Sequence, residues 1–384
     1  MLRFLAALLG AAVIAAGCGG DGEEAAEERP EVAPEAPGAV TGAGQLDFEG
    51  VETLVGGLEV PWGLDFVDER TILVTERPGR VRVVKGRSLR PEPVAEVEVA
   101  DGGEGGLLGI ALHPEFPERR FAYLYYTAAD GNRVSRFRVG ENLGFREERV
   151  LLTIPAGTNH DGGRIAFGPD GLLYVATGET GEPELAADRG SLAGKILRVE
   201  PDGDVPADNP FGDSPVYSYG HRNPQGFDWD ERGRLYASEH GPTGEDGLCC
   251  HDEINLIEPG GFYGWPFRAS NSDALEGEPP EQPIAPIADS DSDTWAPVGL
   301  VVDAPEGGEA NLLVANLVGE NLLRFGLGGA DAVVGTQSVL DGFGRLRAAE
   351  LGPGGCLYLT TSNTDGRGTP REGDDRILRV CPEV

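Results

Sequence analysis

Six times along its 384 residues the chain pairs two short apolar runs of β character. The first runs are Thr71–Val74, Phe121–Leu124, Leu172–Val175, Arg234–Ala237, Asn311–Val314 and Cys356–Leu359. Their partners are Val81–Val84, Val134–Val139, Ile196–Val199, Ile254–Ile257, Leu322–Phe325 and Ile377–Val380. Asp/Gly-rich turns precede several first runs, as in Gly-Pro-Asp-Gly (168–171), Asp-Glu-Arg-Gly (230–233) and Gly-Pro-Gly-Gly (352–355). β units recurring every ~45–75 residues predict propeller blades, and the two further strands that each blade needs fit between repeats. A β-sandwich would give fewer, more evenly spaced strands. With 59 Gly, 29 Pro and no long helical periodicity past the N-terminus, the reading is all-β. The expected fold is a six-bladed β-propeller of four-stranded antiparallel blades. Its loops should gather at one end around a central channel.

The repeats begin only after a different kind of sequence. Residues 1–18 read as an export signal, with Arg3, an apolar stretch Phe4–Ala16, and a lipobox-like Ala15-Ala16-Gly17-Cys18. Cys18 is then the lipidated first residue of a protein anchored to a membrane on the extracytoplasmic side, in the periplasm or at the cell surface. An ordinary signal peptide with an incidental Cys is the alternative. Residues 19–50 are Glu, Ala, Pro and Gly with almost no large apolar residue, the composition of a disordered tether. Residues 51–384 are expected to be the propeller. The net charge of −34 argues against nucleic acid and anionic membrane surfaces as partners. It also makes clustered arginines informative.

Five stretches hold the candidate chemistry. Asn159-His160-Asp161-Gly162-Gly163-Arg164 offers a histidine as proton acceptor, with glycines that allow a planar ligand close. By itself it reads equally as a loop histidine bonded to a carboxylate. His221-Arg222-Asn223-Pro224-Gln225-Gly226 suits carboxylate or carbonyl recognition, or an arginine that caps strand ends. Glu239-His240-Gly241-Pro242 can turn carbonyl oxygens toward a hard cation, and Asp252, Glu253 and the Tyr263 backbone could serve a second one. A plain turn explains the same residues. In Gly344-Arg345-Leu346-Arg347, strand periodicity puts both arginines on one face, where they meet water, carboxylates or an anion. Glu104-Gly105-Gly106-Leu107-Leu108-Gly109-Ile110 lacks the Lys and the strand–helix context of a phosphate loop, which excludes nucleotide binding.

Without Cys18 the chain has four cysteines, an even count in an exported protein. Cys356 and Cys381 flank the paired runs of the last repeat, so antiparallel pairing brings them together. Cys249-Cys250 is a vicinal disulfide or two free thiols. Their spacing with His251 is too short to wrap zinc.

Taken together and in order, these motifs resemble the soluble quinoprotein aldose sugar dehydrogenases, a family similar to soluble glucose dehydrogenase. The resemblance covers roughly Val51 to Pro382 and also rests on Val60-Pro61-Trp62-Gly63, Leu192-Ala193-Gly194-Lys195-Ile196, Tyr263–Pro266 and Gly-Asp-Asp-Arg-Ile-Leu-Arg (373–379). It implies a six-bladed propeller that binds pyrroloquinoline quinone (PQQ) and Ca²⁺ and oxidises aldoses at C1 to lactones. Electrons would pass to an external acceptor, a quinone or cytochrome, and the protein would be a monomer or dimer. By the resemblance His160 is the general base, Glu179 its orienting acid and Arg222 the arginine at the quinone oxygen. Glu104, Asn223, Arg345 and Arg347 contact the cofactor. Gly241 and Pro242 hold the catalytic calcium, and Glu253 with Tyr263 a structural one. Two departures stand out. Glu104 replaces the Gln of glucose dehydrogenases, and Ala315-Asn316-Leu317-Val318-Gly319 lacks the fifth-blade Lys that meets the cofactor. The other reading is a propeller that keeps the scaffold as a non-catalytic module binding a sugar or protein ligand.

Overall fold

The structure, a computed structural model, describes residues 45–383 apart from 101, 245–248, 271–276, 306–307 and 330–331. The proposed signal and lipidation site at Cys18 lie outside the described residues. Among those described, the only α-helix is Glu184–Ala187. The strands form six antiparallel sheets, numbered here as blades 1 to 6. Blade 1 holds Pro61–Asp68, Thr71–Glu76 and Arg80–Lys85, edged by the short Ser88–Leu89 and Ala95–Glu96. Blade 2 holds Leu107–Leu112, Phe121–Ala128, Gly131–Val139 and Phe145–Ile154; blade 3 holds Ile165–Phe167, Leu173–Thr177, Lys195–Val199 and Val216–Tyr219. Blade 4 holds Pro224–Trp229, Leu235–Glu239, Glu253–Ile257 and Ala288–Asp289; blade 5 holds Pro297–Asp303, Asn311–Asn316, Asn321–Leu327 and Val333–Asp341. Blade 6 takes Leu346–Leu351, Leu357–Thr361 and Arg376–Val380 from the C-terminal end and Glu52–Gly56 from the N-terminal end. The six-bladed expectation therefore holds, and all twelve repeat runs lie on the second and third strands of the blades.

The reason those runs are legible is that a blade has no solvent face along its middle strands. Successive side chains of a strand point to opposite faces. Here each face meets another blade. Leu73 packs with Leu107 and Leu124 of blade 2, while its neighbours Ile72 and Val74 pack with Tyr358 and Ile377 of blade 6. Leu313 and Ala315 turn toward blade 6, and Leu312 and Val314 toward blade 4. One apolar cluster fills each of the six gaps between neighbouring blades, and the inner strands touch across five of them, while Leu173–Thr177 meets Pro224–Trp229 between blades 3 and 4. Middle strands therefore read as continuous apolar runs. The outermost strands face water, and Phe145–Ile154 accordingly carries exposed Arg146, Glu147, Glu148 and Arg149.

Polar bonds repeat between blades as well. Thr75, Ser238 and Thr360 each donate a hydroxyl to a carbonyl of the next blade's inner strand, at Leu108, Val298 and Pro61. Asp65 and Asp228 accept the amides of Leu112 and Val302 in the same direction. Burial pushes both carboxyls up to about 6.

Ring closure is the step that sequence reading missed. Glu52 pairs with Arg379 and Thr53 with Leu378, so the first strand of the chain finishes the last blade. Leu46 is buried and bridges to Pro382. Residues 45–50, which the sequence assigns to the tether, thus belong to the fold. Leu46 and Phe48, both packed on the cluster between blades 5 and 6, are the reason.

Two disulfides are present, Cys356–Cys381 and the vicinal Cys249–Cys250. The first closes a loop of sequence separation 25, the second of separation 1. Loop-closure entropy makes the first worth about 3.5 kcal/mol, and the second has no loop to close. Denaturant unfolding should show that loss in the Cys356→Ala/Cys381→Ala variant, and a much smaller one in Cys249→Ala/Cys250→Ala.

Candidate active site

Loops from blades far apart in sequence meet around one cavity. Its walls include Trp62, Arg77, Glu104, Asp161, Gly162, Gln225, His240, Leu317, Arg345, Arg347, Asp365 and Arg367. The two arginines that the sequence places on one strand face do lie there together. Arg345 Nε is 3.0 Å and Arg347 Nη2 3.7 Å from the same Asp365 Oδ2. Burial pushes the Arg347 guanidinium down to about 10; Asp365 opposes the shift, and Arg77 and Arg345 add to it.

His160 is not itself a lining residue but directly precedes Asp161 and Gly162, which are, and holds a left-handed conformation, φ 59°. Neighbours hold it there, consistent with the backbone strain that such a residue carries. Its amide donates to Glu104 Oε2 at 3.1 Å, and its carbonyl accepts from Thr180 at 3.1 Å. Gly178 makes that contact possible, since a Cβ there would lie 1.9 Å from the His160 carbonyl oxygen. The next residue, Glu179, is 2% exposed and places Oε1 2.5 Å from His160 Nδ1. The carboxylate fixes the ring proton on Nδ1 and leaves the Nε2 lone pair for a ligand.

Arg222 and Asn223 connect to the same loops. The Arg222 carbonyl accepts the Glu179 amide at 2.9 Å, and its guanidinium reaches the His240 carbonyl at 3.4 Å and stacks over Trp265. Asn223 Oδ1 accepts from Gly162 and from Gln225 Nε2, while its buried Nδ2 has no hydrogen-bond partner among the described residues. Behind this layer, His221 is wholly buried between Ser218 Oγ and Glu239 Oε2, both at 2.8 Å, and its ring stacks on Tyr263. Glu239 also accepts the Arg222 amide, so one buried carboxylate orients two consecutive residues.

The proposed metal ligands are arranged less simply. Gly241 and Pro242 are buried directly after His240. The Gly241 amide donates to Asp252 Oδ1, whose other oxygen accepts from Trp295 and Ala296. The Glu253 oxygens accept from Ser270 N and Asn255 Nδ2. Burial and then Glu239 push its carboxyl up to about 8. The Tyr263 hydroxyl is taken by Leu256 O and Glu258 N. Among the described residues no hydrogen bond joins Glu253 to Tyr263, and no three His, Cys, Asp or Glu side chains gather to hold an ion.

Sequence reasoning missed Arg77, Trp62, Asp365, Arg367 and His240 as cavity residues. Arg367 pairs with Glu104 Oε1 at 2.8 Å, which ties the loop after blade 6's second strand to the loop before blade 2. His240 Nε2 is buried without a partner among the described residues. The net charge of −34 is the signal that could have drawn attention to Arg77 and Arg367.

The Glucose / Sorbosone dehydrogenase family model matches residues 58–378. The chain belongs to that family. It is similar to the PQQ-bound aldose sugar dehydrogenase of Streptomyces coelicolor, with a TM-score of 0.77 and 41% identity over 86% of this chain and 97% of that one. Aldose sugar dehydrogenase YliI of Escherichia coli is 30% identical over 86% of this chain and 92% of its own length. Quinoprotein glucose dehydrogenase B of Acinetobacter calcoaceticus is 31% identical, over 58% of this chain and 53% of its own. Family membership fits a cavity walled by guanidiniums and carboxylates with an oriented histidine, His160, next to its lining residues Asp161 and Gly162.

His240 gives this site a pH signature. Burial pushes its imidazole from 6.5 down to about 3, against the pull of Glu104 and with help from Arg222, His160 and Arg347. Between those values the unfolded chain binds a proton that the native state refuses. Stability from this group is therefore full above pH 6.5 and is lost as pH falls toward 3. Unfolding measured across that range should show a shallower acid limb in His240→Gln than in the wild type.

Proposed function

We propose that the protein is a PQQ- and calcium-dependent dehydrogenase that oxidises aldoses at C1 to lactones. The observation that carries this reading is the His160–Glu179 pair, tied through the His160 amide to Glu104 of a cavity that Arg345 and Arg347 also line. The donor set fits PQQ, an anionic, planar o-quinone. Guanidiniums suit its carboxylates, and the unpartnered Asn223 Nδ2 and His240 Nε2 are polar atoms awaiting a ligand. Calcium fits the hard carbonyl oxygens of Gly241 and Pro242. Glu253 and Tyr263 remain candidates for a second ion.

When bound, PQQ supplies the two-electron acceptor for the hydride that leaves the sugar's C1. The chain's part is proton handling and charge placement. His160 Nε2 takes the C1 hydroxyl proton, and Glu179 stabilises the imidazolium that results. Arg222, with its backbone fixed by Glu239, presents positive charge where negative charge develops. Arg345 and Arg347 hold carboxylates, Asn223 donates from its free amide, and Glu104 braces the His160 amide. The electrons leave to an external quinone or cytochrome. The two disulfides support an oxidising compartment and so the export read from residues 1–18; they say nothing about lipidation at Cys18. Among the described residues no helix is long and apolar enough to cross a membrane.

Adding PQQ and Ca²⁺ to apo-protein should produce dye reduction with aldoses and the corresponding lactones. Absence of both PQQ binding and sugar-dependent turnover would leave the non-catalytic module as the reading. His160→Ala should lower kcat by roughly 10²–10⁴-fold with cofactor affinity kept. In Glu179→Gln the imidazolium loses its counter-charge while the hydrogen bond survives. Its kcat should fall by roughly 10–100-fold with KM little changed, a split that a folding defect would not give.

A further inference from the structure

Arg77 is a cation that the site described above leaves unused. It sits in the turn between the second and third strands of blade 1, and its guanidinium side chain lines the cavity. The neighbouring carboxylate cannot serve it. Glu76 is fully buried and already holds Arg80, Arg82 and the Glu59 amide. Among the described residues the Arg77 side chain makes no ion pair, whereas Arg345 and Arg347 share Asp365 and Arg367 has Glu104.

Its placement is built rather than incidental. The Arg77 amide donates to Val60 O at 3.1 Å, and its carbonyl accepts from Leu107 N at 2.9 Å. The turn is thereby pinned to the segments that enter blades 1 and 2. Gly106, at φ 136°, leaves the room that the arginine stem occupies. A Cβ there would lie 2.6 Å from Arg77 Cγ. To the same cavity the loop after blade 5's second strand presents Leu317, whose carbonyl accepts from Arg345 Nη1 at 3.2 Å. The fifth blade thus gives this wall no charge of its own.

We propose that Arg77 is a carboxylate-binding residue of the cavity, supplying from blade 1 the cofactor-facing positive charge that blade 5 lacks at Leu317. The inference rests on the PQQ reading above. A half-buried guanidinium beside Arg347 and without a counterion is unfavourable in the empty cavity, and an anionic ligand reverses that sign. PQQ brings several carboxylates, more than Arg345 and Arg347 can pair when Asp365 already takes part of their charge.

The test is a titration of apo-protein with PQQ, read by quenching of tryptophan fluorescence, since Trp62 lines the cavity. Arg77→Gln should raise the Kd roughly 10- to 100-fold and Arg77→Lys should keep most of the affinity, with the thermal midpoint of apo Arg77→Gln no lower than that of the wild type. The Kd of the wild type should also rise more steeply with salt than that of Arg77→Gln. An unchanged Kd in Arg77→Gln overturns the proposal. So does a variant that binds PQQ normally but loses turnover of a hexuronate relative to a neutral aldose, because the carboxylate would then be the substrate's. Wild-type protein that binds no PQQ overturns this inference and the proposed function together.

Discussion

Everything in this molecule depends on the two-sided burial of the blade strands. A single blade leaves apolar side chains on both faces, so it is stable only between two others, and the arrangement ends only when the sixth blade meets the first. The Leu54–Ile72–Tyr358–Ile377 cluster between blades 6 and 1 is therefore as necessary as any other gap filling, although its members come from opposite ends of the chain. Pairing of Glu52–Gly56 with Arg376–Val380 joins the chain ends within one sheet. The ion pair between Glu52 and Arg379 lies on that seam. Closure removes the apolar blade faces that an open stack would expose.

Closure is also what makes a site out of scattered loops. His160 follows blade 2, Glu179 follows the second strand of blade 3, Arg222 precedes blade 4, and Arg345 and Arg347 begin blade 6. Apart from Arg345 and Arg347, none of these is a close neighbour of the others in sequence. The ring brings them together, and short polar links then set the distances. Glu104 touches His160 on one side and Arg367 on the other. The Glu179 amide is bonded to the Arg222 carbonyl, so the His160–Glu179 pair and Arg222 share one backbone contact. A shift of any of these blades would move both.

How much of this was legible follows from the same physics. The twelve middle strands were visible because burial on two faces leaves continuous apolar runs, and the count of pairs then gave the blade count. Arg345 and Arg347 were visible because two like charges on one strand face need a reason. Outer strands were not visible. Phe145–Ile154 alternates with no clear apolar face, since one side meets water and the other meets only its neighbour in the sheet. Glu52–Gly56 was missed because its partner is at the far end of the chain. Arg77 sits in an ordinary-looking turn whose sequence says nothing about the cavity beneath it. His240 was passed over because the glycine and proline after it suggested backbone chemistry, whereas its buried ring nitrogen is itself part of the wall.

The charge distribution sharpens what kind of ligand the cavity can take. A chain of net charge −34 repels anions from most of its surface. Inside the cavity the balance reverses locally, with four guanidiniums against the carboxylates of Glu104, Asp161 and Asp365. Burial makes the Asp161 carboxyl easier to protonate than usual, which weakens the negative side further. Asp365 stays ionised because the Arg367 amide and the guanidiniums of Arg345 and Arg347 outweigh its burial. Concentrating buried cations in this way costs stability unless something anionic enters. A ligand that supplies the missing charge therefore stabilises the closed ring as well as occupying it, because ligand bound only by the folded state adds directly to folding free energy. Cofactor affinity and propeller stability are then coupled through the same few arginines.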